Sequence, residues 1–141
     1  MRGRLIGFFA ITAAGVLSGT VAQSADIETS VCEAAKVPFA QEGKVVTIAA
    51  TVLSTGMEYP DFLKDPSCPD LSVRLQIEPA SANEDSVQSF IQAVIQEPRG
   101  TAEKDISAKF TGIVRLYQSG GPKYPVLILK SVSDLAITLK K

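Results

Sequence analysis

Alternating apolar and polar positions predict that this chain is mainly β. Two of the predicted strands are long: Lys44 to Leu53, which is apolar on both faces, and Ile106 to Tyr117. Gly112, in the middle of the second long strand, indicates a bend or a close approach of another backbone. The remaining predicted strands are Phe62–Leu63, Leu71–Glu78 and Val126–Leu129, with Asp134–Leu139 as the continuation of the last.

Two segments have the periodicity of a helix. In the clearer one, a single apolar stripe is formed by Val87, Phe90, Ile91, Val94 and Ile95. Ser81 and Glu84 ahead of it fit a capping box, in which each side chain accepts a backbone N–H. A shorter helix is predicted over residues 27–36, with Thr29 or Asp26 as its cap.

The order of these elements predicts a mainly β, α+β fold. Its helix lies between the third and fourth strands, where it would plug one end of a five-stranded OB-like barrel. The two long strands fall at the first and fourth places, where such a barrel needs strands that bend. With the short N-terminal helix in front, residues 26–141 are expected to form a single domain.

The first 25 residues have the pattern of a cleavable secretory signal. Arg2 and Arg4 precede an apolar run from Leu5 to about Leu17, and small residues follow, so cleavage is expected near Ala22 to Ala25. The run is too short to cross a bilayer of about 30 Å as a helix, which leaves a membrane anchor as the less favoured alternative. We therefore expect a periplasmic or secreted protein with no stable membrane insertion after cleavage.

Charge and cysteine content narrow the classes of protein further. The full chain has 14 Lys and Arg against 15 Asp and Glu, and loss of residues 1–25 leaves 12 against 15, a net charge of −3. Such a weakly acidic chain lacks the basic surface that binding of nucleic acid requires, so no nucleic-acid partner is expected. In an oxidising compartment Cys32 and Cys68 are expected to form a disulfide, with two free thiols as the alternative.

Three short motifs in the N-terminal half of the chain resemble a known group. They are Val31-Cys32-Glu33, Gly43-Lys44-Val45-Val46 and the run from Phe62 to Pro69. The chain resembles small secreted bacterial proteins that combine a Cys in an N-terminal helix, a GKxV strand start and an hhxDxxCP turn with an OB-like barrel. The resemblance implies the barrel and the Cys32–Cys68 bridge, but no activity, since none is established for that group. Members often carry His-Gly after the first strand, where this chain has Ser54-Thr55-Gly56, so no role of that His carries over.

The absence of histidine excludes several classes of enzyme. Ser-His-Asp and Cys-His catalysis, HExxH zinc sites and His-ligated metals all need a residue that this chain lacks. The loop acids Asp61, Asp65 and Asp70 are the remaining candidates for a hydrolytic carboxylate pair or a calcium site. Acids in a proline-rich loop are more often turn formers, so we expect no enzyme, no cofactor and no metal.

Aromatic and basic side chains gather where OB-folds bind their ligands. Aromatic rings beside cations can stack on sugars or peptide side chains, while the cations add charge-assisted hydrogen bonds. The candidate ligand-binding residues are Tyr59, Arg74, Arg115, Tyr117, Lys123 and Tyr124. The same residues would also be ordinary at a barrel rim, with apolar rings and solvated hydroxyls.

Two functional hypotheses follow from these residues. The preferred one is a non-enzymatic exported binding module that recognises a glycan, a peptide or a small anionic ligand on the barrel rim. The alternative is a structural or protein-interaction protein of the cell envelope, which has no small-molecule ligand and pairs through a strand edge. The partner, in either case, is an envelope or extracellular ligand or protein whose identity the sequence does not specify.

Overall fold

The computed structural model describes residues 27–54, 62–95 and 103–139, and over these ranges the protein is mainly β. The strands are β1 Ile27–Ser30, β2 Val45–Ser54, β3 Phe62–Leu63, β4 Val73–Gln76, β5 Lys104–Tyr117 and β6 Tyr124–Leu139. The helices are α1 Val31–Lys36, α2 Pro79–Ala82 and α3 Asp85–Ile95, with a 3₁₀ turn at Pro38–Gln41.

All six strands belong to one mixed sheet in the order β1-β2-β5-β6-β4-β3. The long strands β2, β5 and β6 pair antiparallel, whereas β1 lies parallel to β2 and β4 lies parallel to β6. Thr51 in β2 and Lys64 just after β3 exchange two backbone hydrogen bonds of 2.9 Å, although β2 and β3 are far apart in the strand order. The sheet must therefore curl to bring these two strands together.

The prediction of a closed five-stranded OB barrel is wrong. The sheet is open and has six strands, because β1 joins it beside β2. Between β2 and the short strand β3, the pairing within the described ranges is the single bridge from Thr51 to Lys64, so a continuous ladder does not close the sheet there. The coarser prediction of a β-rich α+β fold is confirmed, and so is the helix between the third and fourth predicted strands, which is α3.

The predicted helix over residues 27–36 is wrong in its first four residues. Ile27–Ser30 is extended and pairs with β2, and the helix begins only at Val31. The cap is Ser30, whose hydroxyl oxygen accepts a hydrogen bond of 3.1 Å from the backbone N–H of Glu33. Thr29, one of the two predicted caps, instead donates to the Glu33 carboxylate, and Asp26 lies outside the described residues.

The predicted capping box ahead of α3 is also wrong. Ser81 belongs to the separate short helix α2, and α3 begins at Asp85. The Glu84 carboxylate takes the role of the cap by accepting the backbone N–H of Val87 at 3.1 Å and the hydroxyl of Ser86. A carboxylate at this position also faces the positive end of the helix dipole, which favours its charged form.

One hydrophobic core lies between the sheet, α3 and α1. Phe90 of α3 is 1% exposed and packs edge-on against Phe110 of β5, with ring centroids 5.2 Å apart. Val94 is buried as well, so the apolar stripe predicted for this helix faces the core as expected. The core also includes Val31 and Ala34 of α1.

The predicted disulfide between Cys32 and Cys68 is confirmed, with the two Cα atoms 5.8 Å apart. It joins α1 to the turn that precedes β4, and Cys68 packs against the core. The predicted signal segment, residues 1–25, lies outside the described residues. Within the described ranges, no helix has the length and hydropathy that a membrane span requires.

Candidate functional site

Two tyrosines face each other at the loop end of the β5–β6 hairpin. Tyr117 is the last residue of β5 and Tyr124 the first of β6, and the ladder places them directly opposite each other. Their rings stack with centroids 6.4 Å apart and planes 27° apart. Tyr117 remains 40% exposed, so the pair presents aromatic surface to solvent and holds the two strands together at the same time.

Two arginines lie in one row that runs across the strands near the tyrosine pair. Arg74 of β4 and Arg115 of β5 both register with Val126 of β6, which lies between them. Because residues opposite one another in a sheet point to the same face, both guanidinium groups belong to that face. Two strand spacings separate their backbones by about 10 Å. Phe62, 48% exposed, continues the row beyond Arg74.

Neither arginine is occupied by another residue of the described ranges. An ion pair within these ranges joins Lys109 to Asp134, at 3.6 Å, away from this row. The side chains of Arg74 and Arg115 make no hydrogen bond or ion pair with the residues that the structure describes. Both groups are therefore available to a ligand that accepts charge-assisted hydrogen bonds.

A cavity of about 490 Å³ opens beside the tyrosine pair. Its polar wall comes from Arg74, Gln76, Tyr117 and Tyr124. Its apolar wall comes from Leu75, Ile77, Phe90 and Ile91, so β4 and α3 both contribute. The volume lies within the range of about 300–1,000 Å³ that is typical of sites for small ligands. We call it the tyrosine cavity.

A second concavity, of about 500 Å³, adjoins the first and shares Tyr117 with it. Its charged wall is formed by Arg115, Lys130 and Glu78. Ile113 and Ile128, which pair across β5 and β6, supply apolar surface. We call it the Arg115 groove.

Asp65, one of the three loop acids, accepts a hydrogen bond within a turn. The backbone N–H of Ser67 donates to the Asp65 carboxylate at 2.8 Å, an ordinary turn interaction. Over the described ranges, no group of three or more His, Cys, Asp or Glu side chains is placed to hold a metal ion. Asp61 lies outside those ranges.

The structure brings three of the six candidate ligand-binding residues to one cavity: Arg74, Tyr117 and Tyr124. Arg115 lines the neighbouring groove instead. Lys123 is exposed in the hairpin loop and lines neither concavity. Tyr59 lies outside the described residues.

Sequence reasoning missed the apolar wall of the tyrosine cavity. Phe90 and Ile91 belong to the helical stripe that faces the core, and the same stripe forms the cavity wall at its margin. Gln76 could have been found, because it follows Arg74 by two positions in β4 and so points to the same face. Lys130 could not, because a register shift between Thr111 and Gly112 changes the pairing next to it.

This arrangement is suited to binding. It combines two unoccupied guanidinium groups, a stacked aromatic pair and an apolar wall, while the chain contains no histidine that could act as a general base near neutral pH. No protein-family model matches the chain, and no curated protein or solved structure is significantly similar to it.

Proposed function

We propose that this protein is a non-enzymatic, exported binding module, and that the tyrosine cavity is its site. Its ligand is a glycan, a peptide or a small anionic molecule. One observation carries the proposal: Arg74 and the stacked Tyr117–Tyr124 pair converge on a cavity whose opposite wall is apolar.

Each wall of the cavity supplies a different part of the binding energy. The Arg74 guanidinium would donate charge-assisted hydrogen bonds, each worth about 1.5–3 kcal/mol. The exposed ring of Tyr117 would stack on a planar or C–H-rich face of the ligand, while the apolar wall would remove more of its surface from water. A ligand with both an anionic group and an apolar face fits this arrangement best.

Export is supported by two independent features. The Cys32–Cys68 disulfide is compatible with an oxidising location. The first 25 residues have the basic, apolar and small-residue order of a secretory signal. Together they favour a site that meets its ligand in the periplasm or outside the cell.

Binding can be tested by ligand-dependent thermal unfolding of the purified protein. The probes are muropeptides, neutral and acidic oligosaccharides, short peptides and small carboxylates. A true ligand at one hundred times its Kd stabilises the native state by about 2.7 kcal/mol. Arg74→Ala and Tyr117→Ala should abolish that shift, whereas Lys36→Ala, which removes an exposed charge at the end of α1, should keep it.

The proposal fails if no probe class shifts the unfolding temperature. It also fails if the shift survives in both Arg74→Ala and Tyr117→Ala, because the ligand would then bind elsewhere on the protein.

One observation favours the alternative, a protein-interaction role. At the far end of β6, Ile137 and Leu139 are each 50% exposed and, two positions apart, lie on the same face of the strand, so they present adjacent apolar surface. Photo-crosslinking in the native compartment separates the two functions. Crosslinks to another protein from position 139 but none from position 117 would favour the interaction role.

A further inference from the structure

We propose that the ligand is an acidic oligosaccharide that lies across the tyrosine cavity and the Arg115 groove, with one carboxylate at each arginine. This inference rests on the proposed binding function and adds the chemical class of the ligand and its minimum length, which is two acidic sugar units. It depends on the relation between the two concavities, which neither of them shows alone.

Tyr117 lines both concavities, so they are neighbours that share one aromatic wall. Arg74 belongs to the first and Arg115 to the second. Their common register with Val126 places them in one row, with backbones about 10 Å apart. A ligand confined to either concavity would meet one arginine, whereas an extended chain over Tyr117 would meet both.

The local charge of this surface is opposite to the charge of the chain. Three cations, Arg74, Arg115 and Lys130, line the two concavities, against the single carboxylate of Glu78. The whole chain carries a net charge of −1. A positive region on an acidic protein attracts an anionic ligand selectively, and both arginines lack partners among the residues described.

The position of the surface in the sheet argues against an extended peptide. Peptides that add to a sheet gain most of their affinity from main-chain hydrogen bonds at a free edge. Here β6 is paired on both sides over Val126–Ile128, with β5 on one side and β4 on the other, so its backbone is already bonded. Recognition at this place must use side chains.

A sugar acid matches those side chains. The C–H face of a pyranose ring stacks on an aromatic ring such as Tyr117, and its carboxylate accepts two parallel hydrogen bonds from a guanidinium group. Single-stranded nucleic acid also combines stacking with charge, but its binding proteins provide a basic groove that follows many phosphates. Three cations beside one acid favour a ligand of lower charge density.

Isothermal titration with sugars of matched length tests this inference. The probes are the hexamers of galacturonate and mannuronate, their monomers, and the neutral hexamers of galactose and mannose. We expect at least one acidic hexamer to bind more tightly than its monomer and its neutral counterpart. Arg115→Ala should weaken that hexamer about tenfold and leave the monomer unchanged, while Arg74→Ala should weaken both. Lys36→Ala is the charge-matched control.

The possible failures are distinguishable. If a neutral hexamer binds as tightly as the acidic one, or if Arg115→Ala leaves hexamer affinity unchanged, the inference is wrong and the binding function stands. The same holds if hexaglutamate or a thymidine hexanucleotide binds more tightly than every acidic sugar. If no probe from any class binds, the proposed function fails with it.

Discussion

Gly112 of β5 lies so close to Ile128 of β6 that a Cβ atom on Gly112 would stand 2.9 Å from the carbonyl carbon of Ile128, and closer still to its oxygen. Both atoms belong to the main chain, so no side-chain rotation relieves the contact. The register of β5 against β6 shifts at this point, between Thr111 and Gly112. The close backbone approach that the sequence indicated at Gly112 is thereby confirmed.

Gly112→Ala should destabilise the protein by about 3 kcal/mol, near the upper end for overpacking, because the two central strands must move apart. Urea unfolding followed by circular dichroism measures the change. Gly121→Ala is the control, since a Cβ there meets nothing within 4 Å, and its stability should stay within about 0.5 kcal/mol of the parent. Equal stability of the two variants would contradict the close approach.

The carboxylate of Glu84, which caps the start of α3, should make the stability of the protein depend on pH in the acidic range. The hydrogen bond from the Ser86 hydroxyl, more than those from the backbone, lowers the pKa of Glu84 below its ordinary value of 4.5. A lowered pKa in the folded state contributes stability that is present above the unfolded pKa and is lost as the pH falls through the folded pKa. Glu84→Gln should therefore reduce the loss of stability between neutral pH and pH values below 4.5.

Ser86→Ala provides the test of cause. Removal of the hydroxyl should raise the pKa of Glu84 towards its ordinary value, as measured by carboxyl carbon chemical shifts over a pH titration. Ser86 also accepts the backbone N–H of Val132 at 2.9 Å, so this variant should lose stability at neutral pH as well. An unchanged Glu84 titration in the variant would show that the hydroxyl is not the cause.

The sequence predicted those parts of the fold in which one physical signal dominates. The stripe around Phe90 has a helical period with one apolar face, and the alternation of Val73 and Leu75 has the period of a strand with one buried face. In both cases the apolar residues share one face, and can be buried together, only in the type of element that the period predicts. The same reasoning located β2 and β5 to within two residues at each end.

The predictions from sequence were wrong where long-range strand pairing decides the structure. Ile27–Ser30 has no strong period, and its pairing with β2, which local sequence does not show, makes it a strand. Barrel closure likewise depends on how far β2 and β3 pair, and over the described ranges they share one bridge. In the candidate site, Arg74 and Tyr124 come together because β4 and β6 are parallel neighbours, a long-range pairing that local sequence does not show.

The Cys32–Cys68 disulfide should contribute about 3–4 kcal/mol to stability, because it closes a loop between cysteines 36 positions apart and so restricts the unfolded chain. The double variant Cys32→Ser, Cys68→Ser should lose that amount in urea unfolding. Dithiothreitol should lower the stability of the parent to the level of the double variant and leave the double variant unchanged. A reductant effect on the double variant would place the cause elsewhere.

The edge-on contact between Phe90 and Phe110 couples α3 to the sheet, and a double-mutant cycle measures that coupling. Phe90→Leu and Phe110→Leu should each destabilise the protein, because both rings are fully buried. The double variant should lose less than the two single losses combined, by about 0.5–1.5 kcal/mol, since the ring–ring interaction can be lost only once. Phe62→Leu, at a half-exposed position, is the control and should change stability little. If the losses of stability at positions 90 and 110 were strictly additive, the two rings would have no specific interaction, and burial of apolar surface alone would hold α3 on the sheet. Phe90 would then contribute only apolar surface to the tyrosine cavity.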